Sequence, residues 1–267
     1  MKPKYLYISS TSFISTLEYR LDFVFGLLSK FFPAIIQFFM WTAIFANSPD
    51  TIILHYTYNQ MILYTVLSIF VSSLVSVDVQ YSISSDIKNG MLSKYLILPV
   101  NYFFYKAFQF IGSKISDMIV IVIGMGIVLV YFNANQMIEI NVMQIVKFSA
   151  VAVMAFVLQY LISFLFANIA FWIGECGGIF TVINVISLII SGAIFPLDIF
   201  GDRVIAISRL FPFYYITYFP ANVLIGKISG SEITAGLSIM VMWVLCLGIF
   251  CSLVWNYGKK KYIAAGG

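Results

Sequence analysis

The side chains that could perform catalysis are few, and none of them forms a known catalytic pattern. His55 is the single histidine, which excludes an H-E-x-x-H zinc site and a histidine dyad. A phosphate loop of the form G-x-x-x-x-G-K-[ST] is also missing, since Gly226-Lys227 lacks the upstream glycine and is followed by Ile228. We therefore expect no catalytic residue and no bound metal or cofactor on this chain.

The acidic side chains and the cysteines indicate structural roles. Asp78 and Asp117 border apolar segments, and Asp117 lies three residues after Lys114, a spacing that favours a local ion pair over a proton relay. Three cysteines lie in or beside apolar runs: Cys176, Cys246 and Cys251. Buried free cysteines behave as small apolar residues, so we expect neither a disulfide nor a metal site from them.

The elements that hold these residues are predicted to be membrane-spanning helices. Hydrophobic residues make up 61% of the 267 positions and charged residues 10%, far from the roughly 45–50% and 25% of soluble domains. Several windows reach the roughly 20 apolar residues that cross a hydrocarbon core. We predict an all-α integral membrane protein with one domain, residues 1–267, and six transmembrane helices. These cover about residues 23–46, 58–77, 115–132, 148–173, 179–195 and 233–255.

The distribution of Lys and Arg predicts the orientation, because the cytoplasmic flanks of membrane spans retain basic residues. With the amino end inside, eleven basic residues fall on the cytoplasmic side and four outside. We therefore expect both termini in the cytoplasm and His55 outside. These flanks also account for the net charge of +4, so we expect no nucleic-acid partner. The four outer basic residues are Lys147, Arg203, Arg209 and Lys227.

The segment before the first span has one apolar face. The residues on that face are Leu6, Phe13, Ile14, Leu17 and Leu21. Such a pattern predicts either an interfacial helix that lies along the inner leaflet or a plain membrane anchor.

The inner loop, residues 80–114, shows a second helical pattern. Four apolar residues recur there at four-residue spacing: Ile83, Ile87, Met91 and Tyr95. Ser84 or Ser85 is expected to cap this helix and Pro99 to end it. Gly90 inside it costs about 1 kcal/mol relative to alanine, which indicates close packing or a break into two turns. We predict a short helix that projects into the cytoplasm, with a loop that folds back on the membrane as the alternative.

The outer connection, residues 196–232, is rich in prolines and aromatic residues. The residues singled out in it are Pro196, Pro212, Tyr214, Tyr215 and Pro220. Because so many solvated aromatic side chains would favour aggregation, we predict that the connection dips into the outer membrane interface. Short helices broken by proline and packed on the spans would satisfy its backbone groups there.

A family resemblance adds to these predictions. The run DIKNGMLSKYLILPV, from Asp86 to Val100, resembles the acidic-apolar-basic-x-Gly-x-Leu…Leu…Pro-Val signature in the first cytoplasmic loop of type 2 ABC (ABC-2) permeases. It is similar above all to the bacterial branch of viologen, daunorubicin and antibiotic-peptide exporters. The resemblance covers the chain from end to end. Supporting motifs are FPLDIF at 195–200, FPF at 211–213, YFP at 218–220 and KKKY at 259–262.

The resemblance implies partners and a mechanism. Two permease protomers, identical or different, would pair in a bacterial plasma membrane above two ATPase subunits, which would bind the ATP and Mg. A coupling helix over 83–96 would contact the ATPase, and a re-entrant hairpin would join spans five and six. The coupling residues would be Ile83, Asp86, Ile87, Lys88, Gly90, Met91, Leu92 and Tyr95.

The cargo implied by the resemblance is an amphipathic or hydrophobic drug, antibiotic or peptide that leaves between the protomers. Candidate path residues are Asn168, Asn184, Ser187, Ser191 and Gly192, although polar side chains in spans also serve as hydrogen bonds between helices. Two other classes of function stay open. A secondary transporter would need charges at mid-membrane that these spans nearly lack, and a membrane scaffold or immunity protein would need no ATPase.

Overall fold

The computed structural model describes residues 4–18, 20–49, 52–54, 56–137 and 141–262. His55 and Glu139, which the predicted orientation places on the outer side of the membrane, fall outside the described residues. The helices are α1 (Lys4–Glu18), α2 (Arg20–Ala46), α3 (Tyr58–Val75), α4 (Val79–Lys88), α5 (Leu92–Leu96), α6 (Tyr102–Ala134), α7 (Val142–Ala167), α8 (Gly177–Ile190), α9 (Asp202–Ser208), α10 (Tyr218–Ile225) and α11 (Gly230–Lys261). Short 3₁₀ helices cover Asn168–Phe171, Leu197–Phe200 and Pro212–Tyr215, and the antiparallel strands β1 (Ile52–Ile53) and β2 (Tyr56–Thr57) form a small hairpin.

Within the described residues, four helical stretches are long and apolar enough to cross a membrane. They are Tyr58–Lys88, Tyr102–Ala134, Val142–Phe171 and Gly230–Lys261. Two shorter apolar stretches, Phe32–Ala46 and Gly177–Ile190, accompany them. The predicted class, an all-α membrane protein, is confirmed, whereas six spans remain a prediction.

Two helix boundaries differ from the predicted spans for identifiable reasons. α6 begins at Tyr102, well before residue 115, because Lys106 and Lys114 are not solvated flanks but are 3% and 5% exposed within the protein. α8 ends at Ile190, because Gly192 adopts φ = +77°, a left-handed conformation that glycine tolerates at no steric cost. Burial of basic groups and this glycine turn are both effects of tertiary structure.

Polar caps mark where four of the long helices begin. Thr57 and Ser229 start α3 and α11 with capping boxes, in which the hydroxyl and a Gln or Glu three residues later satisfy backbone N–H groups reciprocally. Asn101 and Asn141 accept hydrogen bonds from backbone N–H groups in the first turns of α6 and α7. These four caps satisfy amides that would otherwise be unpaired at the membrane boundary.

The hydrophobic core is built around α7. This helix packs against α3, α4, α10 and α11, and Val151, Ala155 and Leu158 on it are fully buried. α6 and α11 are mostly exposed along their apolar windows. In a membrane protein an exposed apolar helix face is available to lipid or to another subunit.

α1 packs along α6 through small residues. Ser9 of α1 is 9% exposed, and a Cβ added at Gly112 of α6 would overlap the Ser9 backbone carbonyl. Leu6 and Ile14, from the predicted apolar face, are 52% and 59% exposed and point away from the protein. Exposed apolar side chains at these positions are suited to contact lipid. An interfacial helix is expected to present such a face to the membrane.

We predict that Gly112→Ala loosens α1 from α6. The added methyl group overlaps the Ser9 backbone, and overpacking of this kind costs about 1–3 kcal/mol. Thermal unfolding of the purified protein should show a lower melting temperature, and limited proteolysis should cut sooner within residues 4–18. The matched control is Gly126→Ala in the same helix, where the new methyl group has no neighbour within 4 Å. An equal response of both variants would contradict the close packing.

Candidate functional site

The segment predicted to be one coupling helix forms two short helices. α4 ends at Lys88 and α5 begins at Leu92. Between them Gly90 has φ = +74°, in the left-handed region where a residue with a Cβ would be strained. Of the two explanations that Gly90 suggested, the break into two turns is the one that the structure shows.

The start of this segment also differs from the prediction. Ser84 and Ser85 lie inside α4, which begins at Val79, so neither serine is an N-cap. Ser84 instead donates from Oγ to the backbone carbonyl of Tyr81, three residues back in the same helix. The predicted cap is therefore wrong. α4 is a close continuation of α3, and Asp78 at its N-cap makes no side-chain capping bond.

A buried ion pair joins α4 to α6. The Lys106 ammonium lies 2.7 Å from Oδ2 of Asp86, and the two side chains are only 4% and 15% exposed. Tyr102 donates its hydroxyl to the same carboxylate at 2.7 Å, and Lys106 donates to Ser82 Oγ at 3.3 Å. The ammonium also lies over the Tyr95 ring, 5.5 Å from its centroid. Burial first, and then the Asp86 carboxylate, raise the pKa of Tyr95 to about 12, so that its phenol stays neutral.

The predicted coupling residues do not share one surface. Ile83, Ile87 and Leu92 belong to the core, at 0%, 6% and 0% exposed. Met91 is 48% exposed, and the most exposed apolar side chain of the region is Ile97, at 83%. Leu96 and Leu98 are also exposed. The exposed apolar side chains of this segment thus lie at Met91 and from the end of α5 onward, and of the predicted row only Met91 is among them.

Other parts of the chain brace this segment. Lys88 forms an exposed ion pair with Glu175, just before α8. Ser93 Oγ and the Tyr262 hydroxyl lie 3.0 Å apart, which ties α5 to the residue that follows α11. Lys4 donates to the Pro99 carbonyl at 2.6 Å. A displacement of α4 and α5 would therefore be felt at α1, α8 and α11 together.

Three of the five candidate cargo residues line one groove. Asn184, Ser187 and Ser191 face a space of about 220 Å³ between the end of α3, α7 and α8. Most other lining residues are also polar: Ser72, Ser76, Asp78, Gln159 and Thr217. Polar side chains on three different helices that converge on one open space form a candidate ligand site.

The other two candidate cargo residues have structural partners. Asn168 is fully buried and donates from Nδ2 to the Phe164 carbonyl at 2.6 Å, away from the groove. Gly192 forms the turn after α8, and its carbonyl accepts a hydrogen bond from the Tyr64 hydroxyl at 2.6 Å. A Cβ at this glycine would contact Tyr218 at 2.9 Å and Tyr64 at 3.0 Å. In this structure Asn168 bonds within its own helical stretch, whereas Gly192 joins the end of α8 to α3.

The outer connection consists of short helices that begin near prolines. Pro196, Pro212 and Pro220 precede or open the 3₁₀ helix 197–200, the 3₁₀ helix 212–215 and α10, where the missing N–H of proline costs nothing. All three prolines are buried, as are Tyr214 and Tyr215. α9, between them, has no buried residue. Most of the aromatic residues are thus packed inside the protein, whereas Phe200 and Phe211 are exposed.

A polar cluster that the sequence did not point to fastens this connection to the β1–β2 hairpin. Tyr56 donates its hydroxyl to Oδ2 of Asp198 at 2.7 Å, and Lys227 donates to the Tyr56 hydroxyl at 2.9 Å and forms an ion pair with Asp198. Burial and the hydrogen bond to Asp198 raise the pKa of Tyr56 far above its usual value, so the phenol remains a donor. Tyr56, Asp198 and Lys227 come from three separate segments, so spacing along the chain gives no signal for them.

Comparison with protein families identifies the chain. The family model described as "ABC-2 family transporter protein" matches residues 31–266. The chain belongs to the ABC-2 transporter family. It is therefore a membrane-embedded permease of an ABC transporter, a transport component and not a catalytic one, and membership implies association with an ABC ATPase. Searches of curated proteins and of solved structures each found no match.

The ion pair Asp86–Lys106 is the structural feature of this segment that sequence reasoning missed. Asp86 was predicted as a coupling residue, but its partner lies on another helix, twenty positions later. Lys106 carried one usable signal, since it stands among apolar and aromatic residues where an unpaired ammonium would be costly. No feature of the sequence indicated that Tyr102 would donate to the same carboxylate.

We predict that Lys106→Met destabilises the permease far more than Lys88→Met does. The first change leaves the Asp86 carboxylate buried without its cation, which typically costs about 3–5 kcal/mol. The second breaks an ion pair whose side chains are 47% and 84% exposed, where about 0–1 kcal/mol is typical. Thermal unfolding in detergent measures both. Similar losses for the two variants would show that the buried pair does not hold α4 against α6.

Proposed function

We propose that this permease is the membrane-spanning subunit of an exporter that moves an amphipathic or hydrophobic molecule out across a bacterial plasma membrane. Two ATPase subunits would bind ATP and Mg and dock beneath two permease protomers. The observation that carries the proposal is the braced segment α4–α5, which matches the permease signature and ends in exposed apolar side chains at Met91, Leu96 and Ile97. Apolar side chains that are exposed on a rigid support are suited to contact a partner.

Contacts at the helix ends support six crossings with both termini in the cytoplasm. At one end, Lys88 pairs with Glu175 and Ser93 contacts Tyr262. At the other end, Tyr56 bonds to Asp198. The helix ends would therefore form two groups, one on each side of the membrane, and successive helices would run from one group to the other. α2 and α8 would be the two crossings in addition to the four long stretches. α8 has 14 residues and rises only about 21 Å, so the turn after it lies short of the far surface.

Hydrogen bonds around α10 support a re-entrant hairpin. The Tyr218 N–H donates to the Ser191 carbonyl at 2.8 Å, so the start of α10 lies at the depth where α8 ends. At the other end of α10, Gln144 Nε2 donates to the Leu224 carbonyl at 2.7 Å, and Gln144 belongs to the first turn of α7. The chain would leave the membrane after α8, cross the exposed α9, dip back in, and run outward again along α10.

The ATPase contact proposed here differs from the row of Ile87, Met91 and Tyr95 that the sequence suggested. Ile87 is buried within the permease and Tyr95 is half-buried beside Lys106, so neither is free to enter a groove on a partner. Met91, Leu96 and Ile97 would be the anchors, with Lys94 at the rim. ATP binding would draw the ATPases together and move this segment, and its braces would carry the movement to α1, α8 and α11.

The proposed topology predicts which positions react with a membrane-impermeant thiol reagent in intact cells. On a background with the native cysteines replaced, Asp202→Cys should react from outside, while Asn89→Cys and Lys260→Cys should react only after the cells are opened. Asp202 and Lys260 are exposed in the structure, as is Asn89, so accessibility within the protein does not limit the reaction. Labelling of Asn89→Cys in intact cells would refute the orientation.

We also predict that Met91→Ser with Ile97→Ser abolishes recovery of the ATPase. The permease should still insert and purify at normal yield, because both side chains are exposed in it, but truncation of buried interface anchors typically costs more than 1 kcal/mol each in binding. The measurement is co-purification with a co-expressed ATPase, together with ATP hydrolysis, which the permease alone should lack. The control is Ile207→Ser on α9, which is 58% exposed on the opposite side. Normal ATPase recovery with the double variant would exclude this surface as the contact.

A further inference from the structure

The groove between α3 and α8 and the small recess beside it are each lined by a glutamine whose carbonyl oxygen is left unpaired in the described part of the chain. Gln159 lines the groove, and its buried Oε1 receives no hydrogen bond. Gln80 is 3% exposed and lines a small recess that shares Gln159, Asn184 and Ser187 with the groove, and its Oε1 is also buried without a donor. The orientation of Gln80 is set by its Nε2, which donates to Asn184 Oδ1 at 3.4 Å. Buried acceptors are costly unless something donates to them.

The charge in the groove points to a cationic or neutral ligand. Among the described lining residues Asp78 alone is charged, and its exposed carboxylate has no ion-pair partner in the described part of the chain. Lys114 is not a lining residue, and its ammonium is engaged by the carbonyl and hydroxyl of Ser76. The Ser191 hydroxyl donates to the Leu188 carbonyl, so it presents lone pairs to the groove. The one charge on this lining is therefore negative, which favours a ligand group that can donate hydrogen bonds.

The size of the groove suits part of a cargo molecule. Pockets that enclose a whole small molecule have volumes of about 300–1,000 Å³, whereas this one has about 220 Å³. Beside it α8 exposes Val185, Ile186 and Ile189, at 51%, 50% and 46%. A polar head would fit the groove, while an apolar remainder would lie along the exposed face of α8.

We propose that the groove binds the polar head of the cargo and selects heads that donate hydrogen bonds. Primary ammonium groups should bind best, because the Asp78 carboxylate and the Gln159 carbonyl, which both belong to residues that line the groove, accept from them, and hydroxyl groups should come next. Carboxylates should bind worst, since they cannot donate and meet the Asp78 charge. This inference rests on the proposed function, because only transport makes a bound molecule a cargo, and it specifies the chemical class of that cargo.

The experiment uses three fluorescent probes that differ only in the head. Each carries a dansyl group and a six-carbon chain that ends in an ammonium, a hydroxyl or a carboxylate group. Binding to the full-length permease in phosphatidylcholine nanodiscs is followed by fluorescence, with empty nanodiscs subtracted. We expect the ammonium probe to bind about tenfold more tightly than the alcohol, the value of one good charge-assisted hydrogen bond, and the carboxylate to bind weakest. Asp78→Asn should remove the preference for ammonium over alcohol.

Gln159→Met is the sharpest variant, because the side chain keeps nearly the same size and its Oε1 has no partner to lose. We expect the affinity for the ammonium and alcohol probes to fall about tenfold, with no loss of thermal stability. The matched control is Gln109→Met, which removes a glutamine from the neighbouring cavity between α1, α4 and α6. That cavity shares only Asp78 with the groove, so the change should leave all three affinities unchanged.

Two results would overturn the proposal. If Gln159→Met leaves every affinity unchanged and raises the melting temperature, its carbonyl is only an unpaired or water-bound group. If the carboxylate probe binds as tightly as the ammonium probe, the groove does not select donors. These binding measurements need no ATPase, so they test the groove independently of the proposed ATPase contact. The expected order of affinities without any ATPase association would support the groove and count against the exporter.

Discussion

Helix breaks in the apolar part of this permease are held by hydrogen bonds from side chains of other helices. In hydrocarbon a carbonyl freed from its helix finds no water, so the protein must supply its donor. Between α3 and α4, Lys114 donates to the Ser76 carbonyl and Ser163 donates to the Val77 carbonyl at 3.0 Å. The first donor belongs to α6 and the second to α7. The break therefore joins four helices at one depth instead of weakening the fold.

The same constraint shapes the outer half of the molecule. After α8 the carbonyls of Gly192 and Ala193 accept hydrogen bonds from Tyr64 and Ser68, both on α3. At the end of α10, Gln144 serves two successive carbonyls of that helix. Each donor fixes the depth at which its segment lies. The coupling segment and the outer hairpin are consequently attached to the same central helices, α3 and α7, and a movement imposed on one would reach the other through packed elements.

Much of this fold could be predicted from hydropathy, because the length of an apolar run is a property of the sequence alone. The helices α2, α3, α7 and α11 lie where the apolar runs predicted them. The early start of α6 was not predictable in this way, since it depends on Lys106 being buried against Asp86. The signature motif predicted the position of the coupling segment. It did not predict which face of α4 is buried, because that face is set by the packing of α4 against α7. For that reason Ile87, placed at the ATPase by its spacing, belongs to the core.

Polar side chains in spans can stabilise helix contacts or meet a ligand, and their partners distinguish the two roles. Ser163 and Tyr64 each donate to a carbonyl of another segment, so their polarity is fully explained by the fold. Gln80 and Gln159 retain unpaired buried carbonyls, at a cost of about 1–3 kcal/mol each. A fold that satisfies its backbone at every break described above had simple means to avoid this cost, for instance a methionine at either position. Other unpaired buried oxygens, such as Oδ1 of Asn168 and of Asn222, belong to residues that do not line the groove beside α8. What distinguishes the groove is that an unpaired carbonyl, that of Gln159, occurs there together with the exposed carboxylate of Asp78, and local features that the fold itself does not need are expected at functional sites.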